Sequence, residues 1–341
     1  MKKTADFSYC LSKFLATYLP GEAGASQNTI LSYRDTFVLL LKYCKLEKNV
    51  PTESMTLDML TRELVTEFLS WLESVRNSSI STRNQRLAAI HSFCRFMQLE
   101  DVMRLHQYQM IISIPKKKGK KGTVNYMSPE GIKLMLRQPD TKEMSGRRDM
   151  VLLSLMYDTG SRVSEMADLT VGDVRLDVPA TVKVTGKWGK TRIVPLMEPT
   201  ADIVRNYISY AGLSGSAKRS YPLFPNRGGK KFSRAGITYI LDKHVESART
   251  ENPGFLPDVI SPHSFRHSKA MHLLHAGVNL VYIRDILGHA DIKTTEIYAR
   301  IDGEMKRKAL EEAFTNTVPS EDTPLWQQDG ELLNWLQGLG K

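Results

Sequence analysis

Six side chains carry most of the chemical content of this sequence: Arg162, Lys187, His263, Arg266, His289 and Tyr298. Arg162 follows Thr159-Gly160-Ser161 where a helix begins, and Glu165 and Asp168 stand close enough to pair with it. Lys187 sits beside Gly186 in a turn, where a long side chain is free to project. His263 and Arg266 are three apart and share one helical face. His289 closes Leu287-Gly288-His289, and Tyr298 follows nine residues later. Taken singly each has an ordinary structural reading: an arginine in a salt bridge, a tyrosine in a core. Together they suit phosphoryl transfer on a phosphodiester. Guanidiniums stabilise non-bridging oxygens as charge builds. A phenol can attack phosphorus and store the bond as a phosphotyrosine. A lysine can protonate the departing sugar oxygen.

Other chemistries find less support. His263, His267, His272 and His275 suggest a metal only by count, since the helix lacks the glutamate of a zinc protease and no carboxylate cluster stands near. Phosphate loops of the Walker or Rossmann type are absent, as is any G-x-S-x-G or cysteine nucleophile context. Cys10, Cys44 and Cys94 are odd in number, form no C-x-x-C pair and fall on apolar helical stripes, so they read as core residues of a reducing compartment. With no apolar leader and no apolar run near the ~20 residues of a membrane span, a cytoplasmic protein without membrane contact is expected.

The chain of 341 residues has 47 Lys+Arg against 37 Asp+Glu, a net charge of +10 that favours a polyanionic partner. Beyond Phe314, Glu321, Asp322, Asp329 and Glu331 face only Lys341, a net of −3, so the preceding residues carry +13.

The elements that must position these groups divide the sequence in four. Residues 1–113 read as a helical bundle, with apolar spacing predicting helices at about 7–18 (stopped by Pro20-Gly21), 26–46, 56–75 and 79–97. Thr82, Arg83 and Arg86 lie on the polar side of the last, a mix suited to DNA contacts. Residues 114–125 form a linker in which Lys116, Lys117, Lys118, Lys120 and Lys121 repel one another; it reads either as a spacer or as a strap along a phosphate backbone. Residues 126–314 read as mostly helical. Ser128-Pro129 opens the first helix, and others are expected at about 146–158, 162–168, 199–211, 233–248, 263–276, 279–287, 291–300 and 303–314. A β-hairpin is expected over 181–196. In the acidic tail, 315–341, Leu332, Leu333, Trp335 and Leu336 make one apolar face of a helix too short to stand alone.

The runs Thr159-Gly160-Ser161-Arg162-Val163-Ser164-Glu165-Met166, Gly186-Lys187 with Arg192-Ile193-Val194-Pro195-Leu196, His263-Ser264-Phe265-Arg266-His267 and Leu287-Gly288-His289-Ala290 through Tyr298 resemble the tyrosine recombinase (phage integrase) family, Xer-like in style. All six positions match in the family's order. The likeness is strong over 126–314; over 1–112 it rests on helical character and position. The resemblance implies a mostly α fold: a helical, SAM-like core-binding domain and an α-rich catalytic domain with a small β-sheet, closing as a C-shaped clamp on duplex DNA. It implies that Tyr298 is the nucleophile of a 3′-phosphotyrosyl link, that Arg162 and Arg266 hold the scissile phosphate and that Lys187 is the general acid. His263 assists proton transfer with Tyr298, His289 hydrogen-bonds the phosphate and Glu165 is a buried partner of the first arginine. The hairpin offers two lysines, Lys187 and Lys190, of which Lys187 is preferred. No metal or nucleotide cofactor is implied, because the phosphotyrosine conserves the bond energy. The implied assembly is a homotetramer on two DNA sites of inverted-repeat type, its protomers linked by the tail helix, with a tail folded back on its own body as the alternative. An integrase or transposase of a mobile element is the leading role. A multimer resolvase of Xer type, a strand-passage enzyme of topoisomerase IB type and a catalytically silent DNA-binding regulator are the alternatives.

Overall fold

The computed structural model describes residues 6–119, 124–186 and 189–301, together with Leu336 and Gly338. Lys187, Lys120, Lys121, Leu332, Leu333, Trp335 and the helix expected at 303–314 lie outside the described residues. The chain divides into two compact units, Met1–Gly122 and Thr123–Lys341. Both are built mainly of helices, with one small antiparallel sheet in the second. Among the described residues no helix is long and apolar enough to cross a membrane.

The first unit begins with α1 (Asp6–Lys13), which widens into a π-wound segment, Phe14–Glu22, that carries Pro20 within it. Pro20 was expected to stop the helix. It lacks an N–H and crowds the carbonyl four residues back, and the wider winding accommodates it without a break. α2 (Gln27–Glu47), α3 (Arg62–Ser74) and α4 (Ile80–Glu100) each start where a hydroxyl side chain accepts a backbone N–H: Ser26 from Thr29, Thr61 from Leu64, Ser79 from Thr82. The third helix starts six residues later than its apolar spacing suggests, because Met55, Leu57 and Leu60 are buried from a loop. α5 (Leu105–Ile112), not expected, is held by the buried Tyr108 and Ile111, with the Tyr108 hydroxyl donating to Asp101 at 3.1 Å. The core centres on Phe14, whose ring meets Phe93 edge-on at 5.4 Å and Phe37 at 6.3 Å.

The first stretch of the lysine segment is docked on this unit. Asn84 of α4 donates its amide to the Lys117 carbonyl at 2.8 Å and accepts the Lys117 N–H at 3.0 Å. Arg83 donates to the Pro115 carbonyl at 3.3 Å, and Lys117 pairs with Glu73 at 2.7 Å.

In the second unit, α6 (Pro129–Arg137) is capped by Ser128 with proline in its first turn, as expected. α7 (Met144–Thr159) is the central helix and buries Val151 through Met156. It ends at Gly160 in the left-handed region and is followed by α8 (Val163–Ala167). The sheet order is β1 (Val174–Arg175), β2 (Thr181–Thr185), β3 (Thr191–Pro195), with Val182 opposite Val194 and Val184 opposite Arg192. α9 (Glu198–Tyr210), α10 (Arg234–Glu251) and α11 (Pro262–His275) complete the main core. α12 (Leu280–Leu287) and α13 (Glu296–Ile301) close a smaller apolar cluster with α11.

Asn84→Ala removes two hydrogen bonds of about 1 kcal/mol each, and proteolysis tracks local opening. Tryptic cleavage at Lys116–Lys118 is expected to speed by roughly ten- to thirtyfold; an unchanged rate rejects the docking.

Candidate active site

Glu165 is the foundation of the site. Its carboxylate is buried, with 3% side-chain exposure. It accepts the backbone N–H of Arg162 at 3.0 Å, the Arg162 guanidinium at 2.7 Å and Arg192 Nη2 at 2.9 Å. The backbone contact is one half of a capping box, so the start of α8 and the placement of Arg162 are one event. Burial pushes the Glu165 carboxyl up, but the hydrogen bonds from Arg192 and from the Arg162 backbone outweigh it, and the group is held below its ordinary range.

Arg192 was not among the expected site residues. It stands on the inward-facing row of β3 with Val194, where an apolar residue is the rule, and that position was its signal in the sequence. Besides Glu165 it reaches the Ile286 carbonyl at 2.7 Å and Ser161 Oγ at 3.3 Å, tying the hairpin to α12 and to the turn after α7. Gly160 and Gly288 both have positive φ and permit this approach: a Cβ on Gly160 would lie 2.5 Å from Leu287 Cδ2, and one on Gly288 2.9 Å from Arg192 Nη1.

Arg266 of α11 is 3% exposed. One guanidinium nitrogen donates to the Gly160 carbonyl at 2.6 Å; Nη2 is buried and finds no partner among the described residues. Burial first, then the neighbouring Arg162, brings this guanidinium down to about 10. A buried, half-satisfied cation next to a second guanidinium is a ready seat for an anionic oxygen.

Tyr298, on α13, is 1% exposed, its ring packed with Ala270, Met271, Leu274 and Leu287. Burial raises its phenol above the ordinary value, against the pull of Arg266 and Arg162. Its hydroxyl lies 2.9 Å from His267 Nδ1. This corrects the expected pairing: His267, one turn beyond His263, touches the tyrosine, while His263 is exposed with its ring centroid 6.2 Å from that of His267. His289 lies 2.8 Å from the buried Thr295 hydroxyl through Nδ1, which leaves Nε2 for another partner. Burial and the neighbouring charges bring His267 and His289 down to about 4, so both rings are neutral near pH 7.

Arg162, Glu165, Lys190, Arg192, Gly288 and His289 line a cavity of about 640 Å³. Lys190, the second hairpin lysine, thus borders the site; Lys187 lies outside the described residues. Among the described residues no group of three His, Cys, Asp or Glu is arranged to hold a metal ion.

The candidates for DNA contact fare unevenly. Lys116, Lys117 and Lys118 are exposed. Arg83 is 5% exposed and directed to the linker backbone, so the expectation that it faces DNA is corrected: the polar spacing that suggested a solvated face hides an inward anchor. Arg86 donates to the Ser32 carbonyl at 3.0 Å and to the Thr36 hydroxyl at 3.2 Å, and Thr82 belongs to the cap of α4. Of the four apolar tail residues singled out, Leu332, Leu333, Trp335 and Leu336, only Leu336 is described; it is helical and 54% exposed.

Gly288→Ala is expected to unseat Arg192 and to destabilise the protein by more than the about 1–2 kcal/mol of a left-handed alanine. Gly277, with φ +78 and nothing within 4 Å of the place a Cβ would occupy, supplies the control. Equal losses for the two variants in denaturant titrations reject the clash.

His267 and His289 take up protons more readily in the unfolded chain, near 6.5, than in the folded one, near 4. Folding stability is therefore whole above pH 6.5 and falls as the pH drops towards 4. Thermal unfolding across that window should show this slope, and His289→Gln should flatten it; an unaltered slope removes His289 from the account.

Comparison with known proteins agrees with this geometry. The profile of the phage integrase family matches residues 125–305, and that of the phage integrase N-terminal SAM-like domain matches residues 12–101. The integrase/recombinase y4rC of Sinorhizobium fredii is 33% identical over 340 residues, spanning 99% of this chain and 100% of that protein. The tyrosine recombinase XerC of Pelotomaculum thermopropionicum is 30% identical over 297 residues, spanning 85% and 93%. In fold, the chain is similar to the XerH site-specific recombinase bound to its palindromic difH substrate in a post-cleavage complex. The TM-score is 0.68 at 18% identity, with 92% of this chain and 90% of that one covered.

Proposed function

Because the chain belongs to the phage integrase family and is a tyrosine site-specific recombinase, we propose that it cuts and rejoins DNA through a 3′-phosphotyrosyl intermediate, as the integrase or transposase of a mobile genetic element. One observation carries the chemistry: the buried Arg266 Nη2 without a partner among the described residues, coupled electrostatically to Arg162 and to the buried Tyr298.

A phosphodiester fills this seat. Its non-bridging oxygens take the free donors of Arg266 and Arg162 and the free nitrogen of His289. The guanidiniums then stabilise the charge that grows on those oxygens as Tyr298 Oη approaches phosphorus. The P–Oη bond forms, the P–O5′ bond breaks, and the 5′-oxygen leaves with a proton from the hairpin lysine, Lys187 by its motif. A 5′-hydroxyl from the partner strand reverses the step. The exposed Lys116 and Lys118 suit contact with the backbone of the bound duplex, which acts in the cytoplasm. Four protomers on two sites complete an exchange. The acidic, leucine-rich tail is suited to a protein partner, a neighbouring protomer, in preference to DNA.

The mobile-element role is supported by the full-length match to the integrase/recombinase of Sinorhizobium fredii. A resolvase role of Xer type is the second reading, favoured by the 30% identity to XerC over 297 residues. Incubation with nicked suicide duplexes taken from the DNA flanking the protein's own gene should trap a covalent adduct with the wild type and none with Tyr298→Phe, which binds equally well. An adduct with Tyr298→Phe rejects the nucleophile. Cleavage confined to chromosomal dimer-resolution sites rejects the mobile-element role in favour of the resolvase. On paired sites, full strand exchange by a chain ending at residue 314 rejects tail docking between protomers.

A further inference from the structure

The chemistry above leaves the fate of one proton open. A tyrosine that attacks phosphorus must lose its hydroxyl hydrogen, and burial makes the Tyr298 phenol hold that proton more tightly than a free one. The proton must therefore leave during attack, to a group already in contact with the oxygen. Among the described residues that contact is His267, with Nδ1 2.9 Å from the hydroxyl and the two rings edge to face at 5.7 Å. His267 and Arg266 are adjacent on α11, so one helical turn presents both the phosphate's cation and the tyrosine's neighbour.

We propose that His267 is a further catalytic residue, the proton acceptor for Tyr298: its Nδ1 takes the hydroxyl proton as Tyr298 Oη bonds to phosphorus. The proposal rests on Tyr298 being the nucleophile. In cleavage, the O–H bond of Tyr298 breaks, the P–Oη bond forms and the P–O5′ bond breaks. The departing 5′-oxygen takes its proton from a different donor, the hairpin lysine. In rejoining, the 5′-hydroxyl attacks and returns its proton to the hairpin lysine, the P–O5′ bond forms, the P–Oη bond breaks, and the tyrosine oxygen recovers its proton from His267. Nothing is consumed.

Three features fit the role. The hydroxyl can donate to Nδ1 only if the ring is neutral with its proton on Nε2. Burial, then His263 and Arg266, keeps the ring neutral near pH 7. The groups that face it are His263 and Arg266 from its own helix, His289 from the turn after α12, and Tyr298 from α13. A bound diester brings negative charge next to Arg266, offsets part of that cationic field, and so favours the protonated ring at the moment of transfer. His263, exposed and a turn away, is left free to act elsewhere at the phosphate.

The test uses the full chain and nicked suicide duplexes carrying its cleavage site. His267→Gln keeps an acceptor for a hydrogen bond but takes no proton; His267→Ala opens a space for free imidazole. Both should bind DNA like the wild type and form the covalent adduct roughly 100-fold more slowly or worse, with imidazole restoring part of the rate to His267→Ala alone. A substrate with sulfur at the 5′-bridging position, whose leaving group needs no proton, should leave His267→Gln slow. Three results overturn the proposal. Adduct formation by His267→Gln at the wild-type rate makes His267 a mere holder. Faster formation by His267→Ala makes the contact a latch. Full rescue by the 5′-thio substrate moves the residue to the leaving group. If His267→Ala loses DNA binding, the glutamine variant carries the test. An adduct in Tyr298→Phe strikes the nucleophile reading itself, whereas a null Tyr298→Phe with a fully active His267→Gln strikes this proposal alone.

Discussion

A single buried carboxylate, that of Glu165, holds the second unit's site together. It is surrounded by the Arg162 backbone, the Arg162 guanidinium and Arg192. An ion so buried is stable only when paired, and removing one partner of such a pair costs about 3–5 kcal/mol. Through Arg192 the same constraint runs to the Ile286 carbonyl at the end of α12, and from there to Gly288 and His289. The cap of α8, the β-hairpin and the turn after α12 are thus bound to one charge. The glycines at 160, 186 and 288 are the steric counterpart of that network. At Gly186 a Cβ would stand 3.1 Å from Glu165 Oε1, tight enough that the carboxylate would have to give by a few tenths of an ångström.

Two guanidiniums meet this one carboxylate and a third, Arg266, stands in the same field, so the excess of positive charge gives the site its character. Arg162 and Arg192 share Glu165, and Arg266 has a backbone carbonyl and a nitrogen without a described partner. The same field and the same burial that bring Arg266 down keep His267 and His289 uncharged. Guanidinium cations thus stand beside imidazoles that are neutral near pH 7. The first set suits an anion, and the second suits the acceptance of a proton or a hydrogen bond. Burial of Tyr298 completes the division, holding its phenol above the ordinary range beside the neutral His267 ring.

In the first unit the described start of the lysine segment, through Gly119, is held by backbone contacts. Lysines that repel one another do not choose a course along a protein surface by themselves. Here Asn84 and Arg83 bind the backbone of Lys117 and Pro115, so the course is set by groups that ignore the lysine charges. Lys116 and Lys118 remain exposed while Lys117 is paired with Glu73. The side chains of α4 whose types suit DNA are in part the fastening of this segment.

Much of this was legible in one dimension. Apolar spacing located α2, α4 and the helices of the second unit, and Ser26, Ser79 and Ser128 marked helix starts because a capping hydroxyl acts on residues three positions away. Two β-rich arms around a glycine-containing turn located β2 and β3. Family likeness ordered the six candidate side chains along the chain, because each lies in a short run of recognisable neighbours. Local geometry also hid things: α5 is a two-turn helix whose burial depends on distant partners, and the chain winds on through Pro20 where a stop was expected. Which histidine touches Tyr298, that Arg192 shares the carboxylate of Arg162, and that Arg83 points inward were decided by tertiary structure alone. A helix offers His263 and His267 on nearly the same face, one turn apart, and only the position of α13 selects between them. Sequence determines which side chains a segment can present. Contact between segments remote in the chain depends on how the apolar faces of α7, α11 and α12 pack, and that is settled in three dimensions.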